Sequence, residues 1–216
     1  MLLGPLIMTR IPSPYTQRPA PFHPGPFRLC CLFLLALLSA PICADTSSAA
    51  AKLSAGYIDA WKAFYPSQAF AYGDRDSAAA FEDYSGERVP QWLALNARVA
   101  TEATGLLSGP GLDLEARTDL LVLSAQAVDE QANWREDDPL ARQPQWYAEQ
   151  VSQALTHLLV RDQLSPQDRE AALLARLRGV ARLCRLGVER LEGGNALRTE
   201  RALRTLAGAR AFYESG

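Results

Sequence analysis

Apolar positions along this chain fall into two regimes. Over residues 29–38 they form an unbroken run, "LCCLFLLALL". After Asp45 they recur every three or four residues with polar positions between them, the spacing of amphipathic helices.

The second regime predicts the fold. Leu53, Tyr57, Ile58, Trp61 and Phe64 space a first helix over about 47–65, ended by Pro66. "PSQAFAYGDRDS", 66–77, reads as a turn region holding a helical turn. A second helix covers about 86–107, with Trp92, Leu95, Val99, Ala103 and Leu106 as its stripe, and stops at "SGPG", 108–111. Asp113 caps a third, which runs to about Trp134 with Leu120, Leu121, Leu123, Ala127 and Val128 inside. Two prolines in "REDDPLARQP", 135–144, break the pattern.

A fourth helix follows from about Gln145 to Arg161. Ser165 and Pro166 open a fifth, because a serine oxygen accepts from free N–H groups and proline is pre-set for the first helical position. Asp168 suits the positive first turn. This helix runs to Leu191 with Gly179 as a weak point, and "EGGN", 192–195, stops it before a last helix over 196–214. No stretch alternates with period two for long enough to be a strand. The expected fold is all-α, an antiparallel bundle of about five to six helices, since short links join long helices.

The first regime reads as a leader. Arg10, Arg18 and Arg28, no acid, the short apolar run and the small-residue exit "SAPICAD" make a secretory signal peptide over 1–44, cleaved after Ala44. The run is short for a membrane helix, which needs ~20 residues. An uncleaved anchor and a start at Met8 are the competing readings, and Ile42 before Cys43 fits lipid attachment poorly. The expected location is therefore exported, periplasmic or secreted, with membrane contact only through this segment.

Removal of the leader takes away three arginines and no acid, moving the formal charge from −2 to −5. That balance argues against nucleic acid, whose phosphates demand a basic face. Cys30, Cys31 and Cys43 leave too, so Cys184 stands alone and no internal disulfide remains possible. A lone cysteine in an oxidising compartment is safest buried, which is the expectation for Cys184.

Candidate chemistry is sparse. His157 shares a polar helical flank with Gln150, Gln153 and Arg161, beside the apolar face Tyr147, Val151, Ala154, Leu155 and Leu158. Zinc needs about three or four ligands, commonly several His or Cys, and the mature chain has one of each. His157 therefore reads as a solvated or hydrogen-bonded helix residue. Asp129, Glu130, Glu136, Asp137 and Asp138 crowd one helix end, but without the acid spacing and glycine of an EF-hand they read as a solvated charged loop rather than a calcium site. Trp61, Phe64, Tyr65, Phe70 and Tyr72 read as core or interface packing in preference to a ligand cage. There is no P-loop, no G-x-G-x-x-G and no G-x-S-x-G.

Four stretches carry a family resemblance. "YIDAWKAFYPSQAFAYGDRD", 57–76, holds a P-x-x-A-x-x-x-G-D turn at Pro66, Ala69, Gly73 and Asp74. "YSGERVPQWL" (84–93), "RTDLLVLSAQAVDEQANWRE" (117–136) and "WYAEQVSQALTHLLVRDQLSPQDREAALLARLRGV" (146–180) follow in order. Together they resemble the N-terminal portion of the bacterial family catalogued as domain of unknown function 885, over nearly all of 53–214. The resemblance implies an exported, helical, zinc-peptidase-like protein acting on peptides, considerably longer than this chain.

The family's presumed zinc centre uses a His-Glu motif and a downstream Glu in its C-terminal part. No His-Glu dipeptide occurs here, since His23 precedes Pro24 and His157 precedes Leu158. No catalytic, cofactor-binding or metal-ligating residue is therefore assigned, and zinc is expected only with a C-terminal part. The expected function is an exported N-terminal helical domain of a metallopeptidase-like protein, inactive alone and part of a larger helical fold. A non-enzymatic periplasmic module binding a protein partner is the alternative, and a small hydrolase using carboxylates ranks last. A domain cut from a larger helical protein should expose an apolar face, with Leu197, Leu203, Leu206 and Phe212 of the last helix as candidates.

Overall fold

A computed structural model describes residues 40–192 and 195–215. The leader expected over 1–44 lies, up to residue 39, outside the described residues. The chain divides at residue 40, and the helices below belong to the unit Pro41–Gly216.

The described residues are helical, with no strand among them. Helix α1 spans Ala40–Phe64 and α2 Pro66–Ala71, followed by a 3-10 turn at Arg75–Ser77. Then come α3 (Arg88–Ser108), α4 (Leu114–Arg135), the short α5 (Pro139–Arg142), α6 (Pro144–Val160), α7 (Pro166–Arg190) and α8 (Ala196–Ser215). The stretch read as a break over 135–144 thus contains a helical turn of its own. Asp138 starts it in the left-handed region, φ 38°, and its carboxylate accepts from the Ala141 N–H at 3.4 Å.

Two start signals act as their chemistry dictates. The Ala116 N–H donates to Asp113 Oδ1 at 2.7 Å, and the Asp168 N–H to Ser165 Oγ at 3.1 Å. Each satisfies an orphan donor of a first turn.

Aromatic side chains hold the main core. Phe64 stacks on Trp92 at 4.7 Å with planes 9° apart, and meets Tyr65, Tyr84 and Trp134 edge-on at 4.7, 5.7 and 5.8 Å. Edge-to-face and stacked pairs at such separations add about 0.5–1.5 kcal/mol each beyond area burial. Val99 from α3, Leu123 and Ala127 from α4, Ala154 from α6 and Leu183 from α7 complete the cluster. A smaller apolar knot of Ala50, Ala103 and Leu120 joins α1 to the α3–α4 pair.

Helix α6 is the hub, packed by α2, α5, α7 and α8. The last helix docks chiefly on α6 rather than on its chain neighbour α7, through the buried Ala202. Leu197, Leu203, Leu206 and Phe212 on α8 are exposed, as expected of this helix.

Three expectations need correction. On α4 the buried series is Leu120, Leu123, Ala127, Glu130 and Trp134, while Leu121 and Val128 are exposed. Successive helical residues turn by ~100°, so that series carries those two off the inner face. Gly179 does not weaken α7, which runs through it unbroken. The glycine admits Phe81, for an added Cβ would lie 2.6 Å from Phe81 Cβ. Cys184 is exposed, not buried, because the inner face of its helix is taken by Gly179, Leu183 and Gly187.

Candidate functional site

Three helices each turn an i, i+4 series toward one groove. Helix α1 and the residue after it supply Tyr57, Trp61 and Tyr65; α4 supplies Gln126, Glu130 and Trp134; α6 supplies Trp146 and Gln150. Side chains four apart share a helical face, so the three rows face a common space of about 610 Å³. Gln68, Tyr72, Asn133 and Gln143 fill in its rim.

Glu130 is the centre of this end. It is 7% exposed, and its Oε2 accepts from the Tyr65 hydroxyl at 2.8 Å and from the Trp92 indole N–H at 2.8 Å. Gln126 Nε2 donates to Oε1 at 3.3 Å. Behind it, the Trp134 indole N–H donates to the Tyr65 hydroxyl at 3.0 Å. The Tyr57 hydroxyl donates to Asn96 Oδ1 at 3.0 Å, and the wholly buried Asn96 donates back to the Trp92 carbonyl at 2.8 Å. Every donor to the carboxylate is neutral.

Burial, and then the Glu130 charge, hold the Tyr57 and Tyr65 hydroxyls well above the usual phenol range. Both stay protonated as donors at neutral pH. The residues lining this end include no serine, cysteine, lysine or histidine; its titratable groups are the Glu130 and Asp137 carboxyls and the tyrosine hydroxyls. What the arrangement offers is recognition: ring faces, amides and an acidic centre.

A second space of about 460 Å³ shares Gln68 and Tyr72 with the first and continues along α6 past Gln153, His157 and Arg161. The polar flank of α6 therefore becomes one side of a groove. From Trp146 to Arg161 it extends about 22 Å at ~1.5 Å per residue. Its far end carries Arg161 and its near end Glu130 and Asp137, so the groove has opposite charge at its two ends.

His157 thus lies on a groove wall beside Gln153 and Arg161. No other His, Cys, Asp or Glu lines its pocket, so these residues do not fit a zinc site. Among the described residues no three His, Cys, Asp or Glu side chains converge as a metal-binding group. Of the acids read as a solvated loop, Asp129, Glu136 and Asp137 are exposed and Asp138 caps α5. Glu130 departs from that reading, being buried on the inner face of α4. The first aromatic group divides as well. Phe64, Tyr65 and Phe70 are buried, whereas Trp61 and the exposed Tyr72 stand 6.0 Å apart on the groove.

No protein-family model, no curated protein and no solved structure matches this chain.

Proposed function

We propose that this chain is a helical ligand-binding domain of an exported, metallopeptidase-like protein, and that it binds without cutting. The single observation carrying this reading is the groove centred on Glu130, walled by aromatic rings and amides. A cleft of about 610 Å³ is of the size that takes small organic ligands or a few residues of a chain. The resemblance to domain of unknown function 885 supports peptides as the ligand class. In this reading the domain walls a substrate cleft, and zinc chemistry belongs to residues other than these. A groove about 22 Å long accommodates roughly six to seven extended residues at ~3.3–3.6 Å each.

The test is a titration of the purified chain with short peptides, followed by intrinsic tryptophan fluorescence and by mass spectrometry of the peptide. Saturable binding with the peptide intact is expected, and Trp146→Ala should weaken it about tenfold or more, as loss of a buried aromatic anchor does. Cleavage abolished by Glu130→Gln or Asp137→Asn would instead support the carboxylate hydrolase.

A second reading, a non-enzymatic module docking a protein partner, draws on the exposed Leu197, Leu203, Leu206 and Phe212 of α8. Light scattering of the purified chain, alone and after Leu203→Glu with Leu206→Glu, tests it. Self-association removed by the double variant supports this reading, and a monodisperse monomer in both cases counts against a sticky α8 face.

A further inference from the structure

The Glu130 end of the groove carries an unbalanced charge. Glu130 and Asp137 are the charged residues that line it, and both are acidic. The donors to Glu130 come from Tyr65, Trp92 and Gln126, all neutral. No ion pair involving Glu130 occurs among the described residues. A carboxylate withdrawn from water is costly unless a positive charge accompanies it. Here the fold supplies hydrogen bonds but no cation, and the group sits beside open space.

The walls suit a cation as well. Trp61 and Tyr72 have ring centroids 6.0 Å apart at 52°, and Trp134 and Trp146 stand 6.0 Å apart at 80°. Rings set at such angles offer more than one π-face to a single guest. A cation within ~6 Å of a ring centroid is attracted by the ring quadrupole. The Trp134 N–H is already engaged by Tyr65, so that indole offers no free donor to a guest. Side-chain amides of Gln68, Asn133 and Gln143 line the rim, and each has an oxygen able to accept from N–H groups. A neutral polyol would use the rings and amides but leave the carboxylate uncompensated.

We propose that this end of the groove receives an organic ammonium group, with Glu130 as its counter-ion and the rings of Trp61, Tyr72, Trp134 and Trp146 as its walls. The proposal rests on the reading of the groove as a ligand site and adds the chemical class of the group that enters it. Two sources carry this chemistry, a free organic amine and the amino terminus of a peptide.

All four tryptophans of the chain, Trp61, Trp92, Trp134 and Trp146, line the site or hold Glu130, so tryptophan fluorescence reports on it directly. The purified chain is titrated with choline, with its uncharged isostere 3,3-dimethylbutan-1-ol, and with trialanine bearing a free or an acetylated amino end. Glucose serves as the neutral polyol. Expected is saturable quenching by choline or by free trialanine, with the uncharged counterpart at least about tenfold weaker. Choline binding points to a free amine, and binding of free trialanine alone points to a peptide terminus; both support the proposal.

Glu130→Gln should weaken the cation about tenfold or more and leave 3,3-dimethylbutan-1-ol unchanged. Because Glu130 is buried, Asp137→Asn and Tyr72→Ala provide exposed variants that keep the fold, each expected to weaken the cation roughly two- to fivefold. Equal affinity for choline and its isostere, or binding of glucose in their place, overturns the ammonium proposal while the ligand-site reading stands. No response to any of these compounds or to longer peptides overturns both.

Discussion

Among the described residues two carboxylates are buried, and their surroundings differ. Glu82 is 4% exposed and accepts from the Ser67 N–H at 2.9 Å and from the Ser67 hydroxyl. Its charge acts on Arg176, which is wholly buried. Burial pushes that guanidinium down to about 10, and the Glu82 charge opposes the fall. Arg176 in turn donates to the carbonyls of Ala78 at 2.7 Å, Ser77 at 3.3 Å and Ala154, and lies 5.0 Å over the Phe70 ring. One side chain of α7 thereby fastens the 77–82 segment, α2 and α6. Glu130 is about as buried and likewise accepts only from neutral donors, yet both its oxygens are bonded, whereas Glu82 Oε2 has no hydrogen-bond partner among the described residues. Glu130 also faces a groove. Glu82 is enclosed among packed segments, with a buried cation whose charge acts on it, whereas Glu130 borders open space that a guest can reach.

The comparison is tested hardest at Arg176. Arg176→Met removes a cation whose charge acts on Glu82 and leaves three carbonyls without their donor. Leaving a buried acceptor unsatisfied costs about 1–3 kcal/mol, so three together come to several kcal/mol. Urea unfolding should show a loss of that size, and Glu82→Gln combined with Arg176→Met should lose less than the sum of the two single changes. A loss under about 1 kcal/mol would mean that Arg176 does not fasten these segments.

Next in size is Gly179→Ala. The new Cβ would meet Phe81 Cβ at 2.6 Å and its ring atoms at 2.7 Å, so the 77–82 segment must shift off α7. Overpacking of this kind costs about 1–3 kcal/mol. A thermal melt compares it with Gly105→Ala, where a Cβ meets nothing within 4 Å. Gly105 is in the last turn of α3, so that change should stabilise by a few tenths of a kcal/mol, through helix propensity. Equal melting temperatures for the two would show that Phe81 yields freely.

The contrast between these acids was barely visible in the sequence. Local signals did their part: apolar spacing placed the long helices, and Asp113 and Ser165 with Pro166 marked two starts, because caps act within one turn. Burial of Arg176 and Glu82 was not legible, since both depend on partners 98 and 15 residues away in the chain. Gly179 looked like a flaw because its reason lies in Phe81, on another segment. Glu130 was masked by its acidic neighbours. The signal that picks it out is the row Gln126–Glu130–Trp134, polar and aromatic on one helical face, facing Tyr57–Trp61–Tyr65 and Trp146–Gln150 on two other helices. Sequence spacing shows each row, and only the fold brings the three together.

A smaller effect separates the acids at high pH. Tyr57 and Tyr65 are raised by burial first and by the Glu130 charge second, and burial pushes Tyr147 up to about 12. A phenol whose folded value lies above its unfolded value of 10 binds its proton more tightly in the fold. Its stabilisation is complete below pH 10 and is lost as pH rises from there toward 12. Glu130→Gln removes one cause of the elevation at Tyr57 and Tyr65. The alkaline loss of stability should therefore be shallower in that variant, while at pH 7 it changes stability by only about 1 kcal/mol, because the donors keep an oxygen to bond. Denaturant midpoints from pH 9 to 12 measure the slope, and identical slopes would remove the Glu130 charge from the account.

The smallest expected effect on stability is also the sharpest on the groove. Tyr72 is 84% exposed, so its side chain contributes little to burial, and Tyr72→Ala should move stability by no more than about 0.5 kcal/mol. Yet Tyr72 borders both halves of the groove and stands 6.0 Å from Trp61. If the groove is a ligand site, the same change should cost affinity for a cation beside Glu130. Phe70, two residues earlier and fully buried under Arg176, should behave in the opposite way. Phe70→Ala should cost about 3–5 kcal/mol of stability. A Tyr72 variant that unfolded as readily as a Phe70 variant would place Tyr72 among the structural residues and dissolve the distinction between the two regions.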